Sequence, residues 1–164
     1  MLLSDMDDLA TAVLGAARVR GLRVATAESC TGGLVAGALT AIAGSSDVFE
    51  YGFVTYANAA KIRMLGVPQA LIAGFGAVSG ETARAMAQGA LAASGADLAV
   101  AVTGVAGPGG GSADKPVGLV WFAVAGGGED TVVREERYGA IGRGAVRAAA
   151  VRTALEMLLE AAEA

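Results

Sequence analysis

The stretch TAESCTGG, residues 26–33, places Ser29, Cys30, Gly32 and Gly33 directly after an apolar run. A nucleophile on a strand-to-helix turn sits beside free helix-start N–H groups, which can hold an oxyanion, and glycine lets a substrate come close to the backbone. Thr31, Gly32 and Gly33 would supply those donors. The competing use is structural, with Ser29 or Thr31 capping the helix. Cys30 is the rival nucleophile because a thiol needs less activation than a hydroxyl, although a lone cysteine is equally at home as a small buried apolar residue. The chain has no histidine. That removes the Ser-His-Asp triad, the Cys-His pair and His-based zinc sites together, so a hydrolase built on this chain needs another base. A lysine fits, since burial or a neighbouring cation brings it toward neutrality from its free value of about 10.4. Lys61 and Lys115 are the only lysines.

The elements that would position these groups follow from periodicity. SDMDDLATAVLGAARVRG repeats apolar residues at helical spacing, with Ser4 as cap and Gly21 as stop. LRVATAE reads as a buried strand and TGGLVAGALTAIAG as an alanine-rich helix entered through its glycines. FEYGFVTYA reads as a second strand, and NAAKIRMLGVP as a short helix capped by Asn58 and ended by Gly66 and Pro68. VSGETARAMAQGALAASG is a helix from Ser79 to Gly95 leading into the strand ADLAVAVTG. VAGPGGGSADKPVG is a glycine loop holding Lys115; it lacks the Gly-Lys-Ser/Thr ending of a P-loop, and either wraps an anion or is a surface loop. VGLVWFAVAGGGEDTVVREERYG predicts an antiparallel hairpin whose charged outer strand guards an edge, and RGAVRAAAVRTALEMLLEAAEA a last helix.

This order predicts an α/β fold: a three-layer α/β/α sandwich, with a mostly parallel mixed sheet and a C-terminal antiparallel hairpin. Ligands in such sheets bind beyond the carboxyl ends of the strands. Glu28 and Ser29, Tyr56, and Thr103 with Gly104 end the first three strands and would share that edge. Arg143 and Arg147 stand near the start of the last helix, where the dipole disfavours cations; they read either as a solvated face or as partners of an anionic ligand.

Composition narrows the function classes. With 164 residues, 54% of them hydrophobic and 17% charged, the chain suits a single domain over 1–164 with a real core. The net charge of −4 and scattered arginines exclude the basic stripe that nucleic acid demands. The apolar runs are shorter than the roughly 20 residues of a bilayer span, so no membrane segment is expected. One cysteine and an acidic start, MLLSDMDDLA, predict a cytoplasmic protein. The alanine-rich helices would suit packing against another copy, so a homo-oligomer is expected.

The motifs AESCTGGLVAGALT, GSSDVFEYGFVTYANAAKIRMLGV, GAVSGETARAMAQGA, ADLAVAVTGVAGPGGGSADKPVGLVWFAVA and GRGAVR occur in one order between about residue 5 and residue 160. In these the chain resembles the C-terminal domain family of the CinA competence/damage-inducible proteins, which also occurs alone as nicotinamide mononucleotide deamidase. The resemblance implies a stand-alone amidohydrolase that converts nicotinamide mononucleotide to nicotinic acid mononucleotide and ammonia without metal or cofactor. It implies Ser29 as nucleophile, Lys61 as base, and Tyr56, Thr103, Gly104 and Arg143 around the substrate. Ile141, Gly142 and Arg143 stand where the family has Gly-Asp-Arg, so the arginine is kept without its acidic neighbour. A non-catalytic nucleotide-binding or adaptor module is the alternative from another class, and Cys30 as nucleophile the enzymatic one.

Overall fold

The computed structural model describes residues 4–164. Its five-stranded sheet has the order β2-β1-β3-β4-β5. β1 (Val24–Glu28) pairs in parallel with β2 (Phe49–Val54) on one side and β3 (Leu98–Gly104) on the other. β4 (Leu119–Gly126) and β5 (Glu129–Arg137) add the antiparallel hairpin. The α/β fold with a mixed sheet between helices is the one expected.

Side chains alternate across a strand, and here the alternation makes two unlike faces. Ala25 and Ala27 of β1, Ala99 and Ala101 of β3, and Ala123 and Ala125 of β4 all fall on one face. Val24, Leu98, Val100, Val102, Phe122 and Val124 fall on the other. The larger face is covered by α1 (Asp7–Val19), α2 (Leu34–Thr40) and α6 (Arg143–Glu163), which bury Val13, Leu14, Leu39, Val151, Leu155 and Leu158. The alanine face is covered by α3 (Asn58–Leu65), α4 (Gln69–Phe75) and α5 (Gly80–Ser94). α5 lays its own Ala83, Ala87 and Ala90 on that face, all fully buried. Small residues on both sides let this helix approach the sheet closely, so added methylenes there would overpack it.

Several local expectations shift. Ser4 opens a 3-10 turn, Ser4–Met6, and the N-cap of α1 is Met6. Asn58 is the first helical residue of α3, and its N-cap is Ala57, with no side-chain cap. Both helices also bury an apolar face, from which most helical stability in a packed protein comes. α2 is shorter than its alanine-rich sequence suggests, and α4 is an additional helix with no buried residue, hence without the amphipathic signal that would announce it. β5 carries the charges expected of a guarded edge, with Arg134 paired to Glu160 and Arg137 to Glu135. No helix among the described residues is long and apolar enough to cross a membrane.

Candidate active site

β1, β2 and β3 run in the same direction, so their carboxyl ends form one edge, and the residues that follow them meet there. Ser29 is locked to the sheet. Its N–H donates to the Val102 carbonyl at 2.9 Å, while the Thr55 N–H donates to the Glu28 carbonyl at 2.9 Å. Strand alternation then sorts three consecutive residues: Glu28 and Cys30 turn toward α2 and α6, and Ser29 turns toward α3.

Ser29 meets Lys61. Side chains in a helix tilt toward its N-terminus. Lys61, in the first turn of α3, accordingly reaches back over the segment that enters the helix. Its Nζ lies 2.8 Å from the Thr55 carbonyl oxygen, 3.1 Å from that of Tyr56 and 3.0 Å from Ser29 Oγ. Carbonyls can only accept, so they take two N–H groups of Lys61, and the remaining tetrahedral position of Nζ points at Ser29. As an ammonium, Nζ donates to Oγ through that position; as a neutral amine it offers its lone pair there, and the Ser29 hydroxyl donates to it. Burial lowers the Lys61 pKa from its ordinary 10.5, and the electrostatic influence of Cys30 opposes it. Lys61 is 1% exposed and no carboxylate is paired with it among the described residues, whereas Ser29 keeps 9% exposure. Lys61 is therefore a buried amine, its pKa lowered by burial, within hydrogen-bonding reach of a serine that solvent can still touch.

Cys30 is placed otherwise. Its side chain belongs to the core between the sheet and α6, and burial pushes the thiol up to about 11. Such a thiol is protonated at neutral pH and faces away from Lys61. Lys115 is also out of reach, because its Nζ donates to the Phe75 carbonyl at 2.5 Å and anchors the glycine loop to the end of α4.

The turn that follows Ser29 is clamped from several sides. Glu28, fully buried, accepts the Thr31 hydroxyl at 2.6 Å and the N–H groups of Val35 at 2.8 Å and Ala36 at 3.0 Å. Its carboxylate satisfies the first N–H groups of α2, whose N-cap residue is Gly33, and so does what was expected of Ser29 or Thr31. The signal for it was present: a carboxylate at the end of an apolar strand, just ahead of a helix start, where the dipole favours an anion. Gly32 and Gly33 adopt φ of +59° and +100°, which L side chains rarely tolerate, and so make the turn possible. The Gly32 N–H donates to the Ser29 carbonyl at 3.0 Å and is not available as an oxyanion donor. The N–H groups of Thr31 and Gly33 have no protein partner among the described residues.

At the rim, Arg143 donates to the Gly107 carbonyl at 2.8 Å and to the Tyr56 hydroxyl at 3.1 Å. Arg143 thus gains its orienting partners from the glycine loop and Tyr56 in place of an acidic neighbour. Arg147, one turn further along α6, donates from Nε to the Cys30 carbonyl and from Nη2 to the Thr31 carbonyl, both at 3.1 Å. Thr103 and Gly104 have local duties. The Thr103 hydroxyl donates to the Ala77 carbonyl at 2.8 Å, and its side chain is buried. A Cβ on Gly104 would lie 2.7 Å from the Leu119 carbonyl oxygen of the neighbouring strand, so glycine is needed there for strand packing. A cavity of about 640 Å³ between α3, α5 and Trp121 includes none of these groups. The described residues hold no cluster of three or more His, Cys, Asp or Glu side chains that could bind a metal.

Fold and site together define a three-layer α/β protein with a buried serine–lysine pair at the carboxyl edge of its parallel strands. The chain belongs to the CinA C-terminal domain family, which it matches over residues 6–162. It is 62% identical over 115 residues to a CinA-like protein of Geobacter sulfurreducens, covering 70% of this chain and 28% of that protein. It is 54% identical over 156 residues to a CinA-like protein of a Synechococcus strain, covering 94% of this chain and 37% of that one. The chain thus spans about a third of the length of these curated relatives. Among solved structures, the competence/damage inducible protein CihA of Agrobacterium tumefaciens superimposes with a TM-score of 0.93 at 57% identity, over 96% of this chain and 95% of that one. A CinA superfamily protein of Escherichia coli gives 0.90 at 38% identity, over 94% and 89%.

Proposed function

We propose that the chain is a metal-independent amidohydrolase that removes ammonia from the carboxamide of nicotinamide mononucleotide through a Ser29 acyl-enzyme. The observation that carries this reading is the Lys61 amine, held by two carbonyls with its third position on Ser29 Oγ. Neutral Lys61 takes the Ser29 proton while Oγ bonds to the carboxamide carbon. The oxyanion that forms is met by the Thr31 and Gly33 N–H groups. Lys61, now an ammonium, returns the proton to the nitrogen as the C–N bond breaks and ammonia leaves. Water then gives a proton to Lys61 and attacks the ester, and Ser29 regains its hydroxyl as nicotinic acid mononucleotide departs. The pyridinium charge of the substrate favours the neutral form of Lys61 and makes the carboxamide carbon more electrophilic. Arg143 and Tyr56 face the ribose phosphate, with the 107–112 loop beside them.

Ammonia release from the mononucleotide tests the scheme. Ser29→Ala should fall to background, a loss on the order of 10⁴-fold or more, whereas Cys30→Ala should keep most of the activity. The reverse pattern, or no ammonia from the unaltered chain, overturns the proposal.

A further inference from the structure

We propose that Arg147 is a positioning residue that aims the oxyanion donor of the nucleophile turn. This rests on the serine–lysine reading above, though not on the identity of the substrate. In a planar trans peptide the C=O of one residue and the N–H of the next point in opposite directions. The Arg147 Nε bond to the Cys30 carbonyl at 3.1 Å draws that oxygen toward α6 and therefore turns the Thr31 N–H away from α6. The Ser29–Lys61 pair lies on the other face of the sheet from α6. The second bond, from Nη2 to the Thr31 carbonyl at 3.1 Å, fixes the next peptide plane, whose Gly32 N–H is already bound to the Ser29 carbonyl. The Thr31 side chain is tied separately, by its hydroxyl on Glu28. Two adjacent peptide planes are thus held by one planar fork, and the Thr31 N–H is left pointing without a partner. Backbone donors fixed in advance stabilise an oxyanion without reorganising during the reaction, and a guanidinium holds two acceptors in fixed geometry where an ammonium acts as a point charge. The charge of Arg147 has the same sign as the helix-start dipole and adds to the field that the developing anion meets.

The expected signature is a loss confined to the chemical step. Arg147→Ala should lower kcat by about 10²- to 10³-fold, the scale of one lost oxyanion donor, with KM changed less than about threefold. The pH at which kcat/KM rises should stay where Lys61 sets it. Guanidinium ion at millimolar concentration should restore part of the kcat of Arg147→Ala, and Arg147→Lys should fall between the two. A loss that sits mainly in KM, or a kcat loss with no rescue by guanidinium and no gain in Arg147→Lys, overturns the assignment. Labelling of Ser29 by a fluorophosphonate, followed by mass spectrometry, reads oxyanion-assisted attack without any nucleotide. It should slow at least tenfold in Arg147→Ala; equal rates in the variant and the unaltered chain, or an unaltered chain that does not label at Ser29, refute the inference. If Ser29 labels with this dependence while the mononucleotide releases no ammonia, the substrate is wrong and the role of Arg147 stands.

Discussion

Replacing Arg143 by alanine removes a guanidinium that has five N–H donors, of which the structure uses one on the Gly107 carbonyl and one on the Tyr56 hydroxyl. The remaining donors are open to a phosphate, and the Tyr56 hydroxyl, which accepts from Arg143, keeps its own proton to give. A hydrogen bond to a charged group is worth about 1.5–3 kcal/mol, or roughly ten- to more than a hundredfold in kcat/KM. Tyr56 is 59% exposed, so solvent screens this corner and the loss on nicotinamide mononucleotide should lie near the lower end, about tenfold. The variant also frees the Gly107 carbonyl, and loosening of the glycine loop would harm any substrate. Nicotinamide riboside, which lacks the phosphate, measures that common damage. The ratio of the two losses isolates the phosphate contribution, and it should shrink as ionic strength rises. Equal losses on mononucleotide and riboside would refute phosphate recognition by Arg143.

Three further outcomes follow from the buried Lys61 and Glu28. kcat/KM should rise with pH through a midpoint below 10.5, since the proposed scheme uses Lys61 as the neutral amine and burial lowers its pKa, and Lys61→Arg should be inactive because guanidinium keeps its proton. The same shift appears in stability. Between the lowered folded value and 10.5 the unfolded chain holds the Lys61 proton that the folded chain has released, so stability gains with pH across that window and is lost again as pH falls through the folded value. The difference in denaturation midpoint between the unaltered chain and Lys61→Met should therefore move in favour of the unaltered chain as pH rises through the window; a difference that stays constant would contradict the shift. Glu28→Ala should destabilise by about 2 kcal/mol or more in urea titrations, because it strands the buried Val35 N–H and Thr31 hydroxyl, each costing about 1–3 kcal/mol, and releases the part-buried Ala36 N–H. A loss under 1 kcal/mol would show that α2 does not depend on this carboxylate.

The sequence by itself determined the layers and their order. Alternation in the strands LRVATAE and ADLAVAVTG and the 3.6-residue repeat of α1 are local properties, and each survives in the structure because it matches the face that is buried. The absence of histidine and the scarcity of lysine narrow the chemistry without reference to the fold. What the tertiary structure decided is which side of each element the reactive atoms face. Ser29 and Cys30 are neighbours in the chain but belong to opposite faces of the sheet, so only Ser29 meets Lys61 while Cys30 enters the core. Period-two alternation could have separated the two, but not said which face holds the lysine. Lys61 and Lys115 are equal candidates by type; only the return of α3 over the end of β2 puts one amine on the serine and leaves the other on Phe75. Thr103 and Glu28 were legible as strand-end polar groups, yet their partners, Ala77 and the start of α2, depend on how the helices dock. Arg143 and Arg147 share one helix face, four residues apart, as the sequence alone shows. That one grips the rim and the other the turn after Ser29 is set by where α6 crosses the sheet edge, a contact between residues more than a hundred positions apart in the case of Arg147 and Cys30. Local preferences act over a few residues, whereas the site is made by side chains that only the packed layers bring within hydrogen-bonding distance.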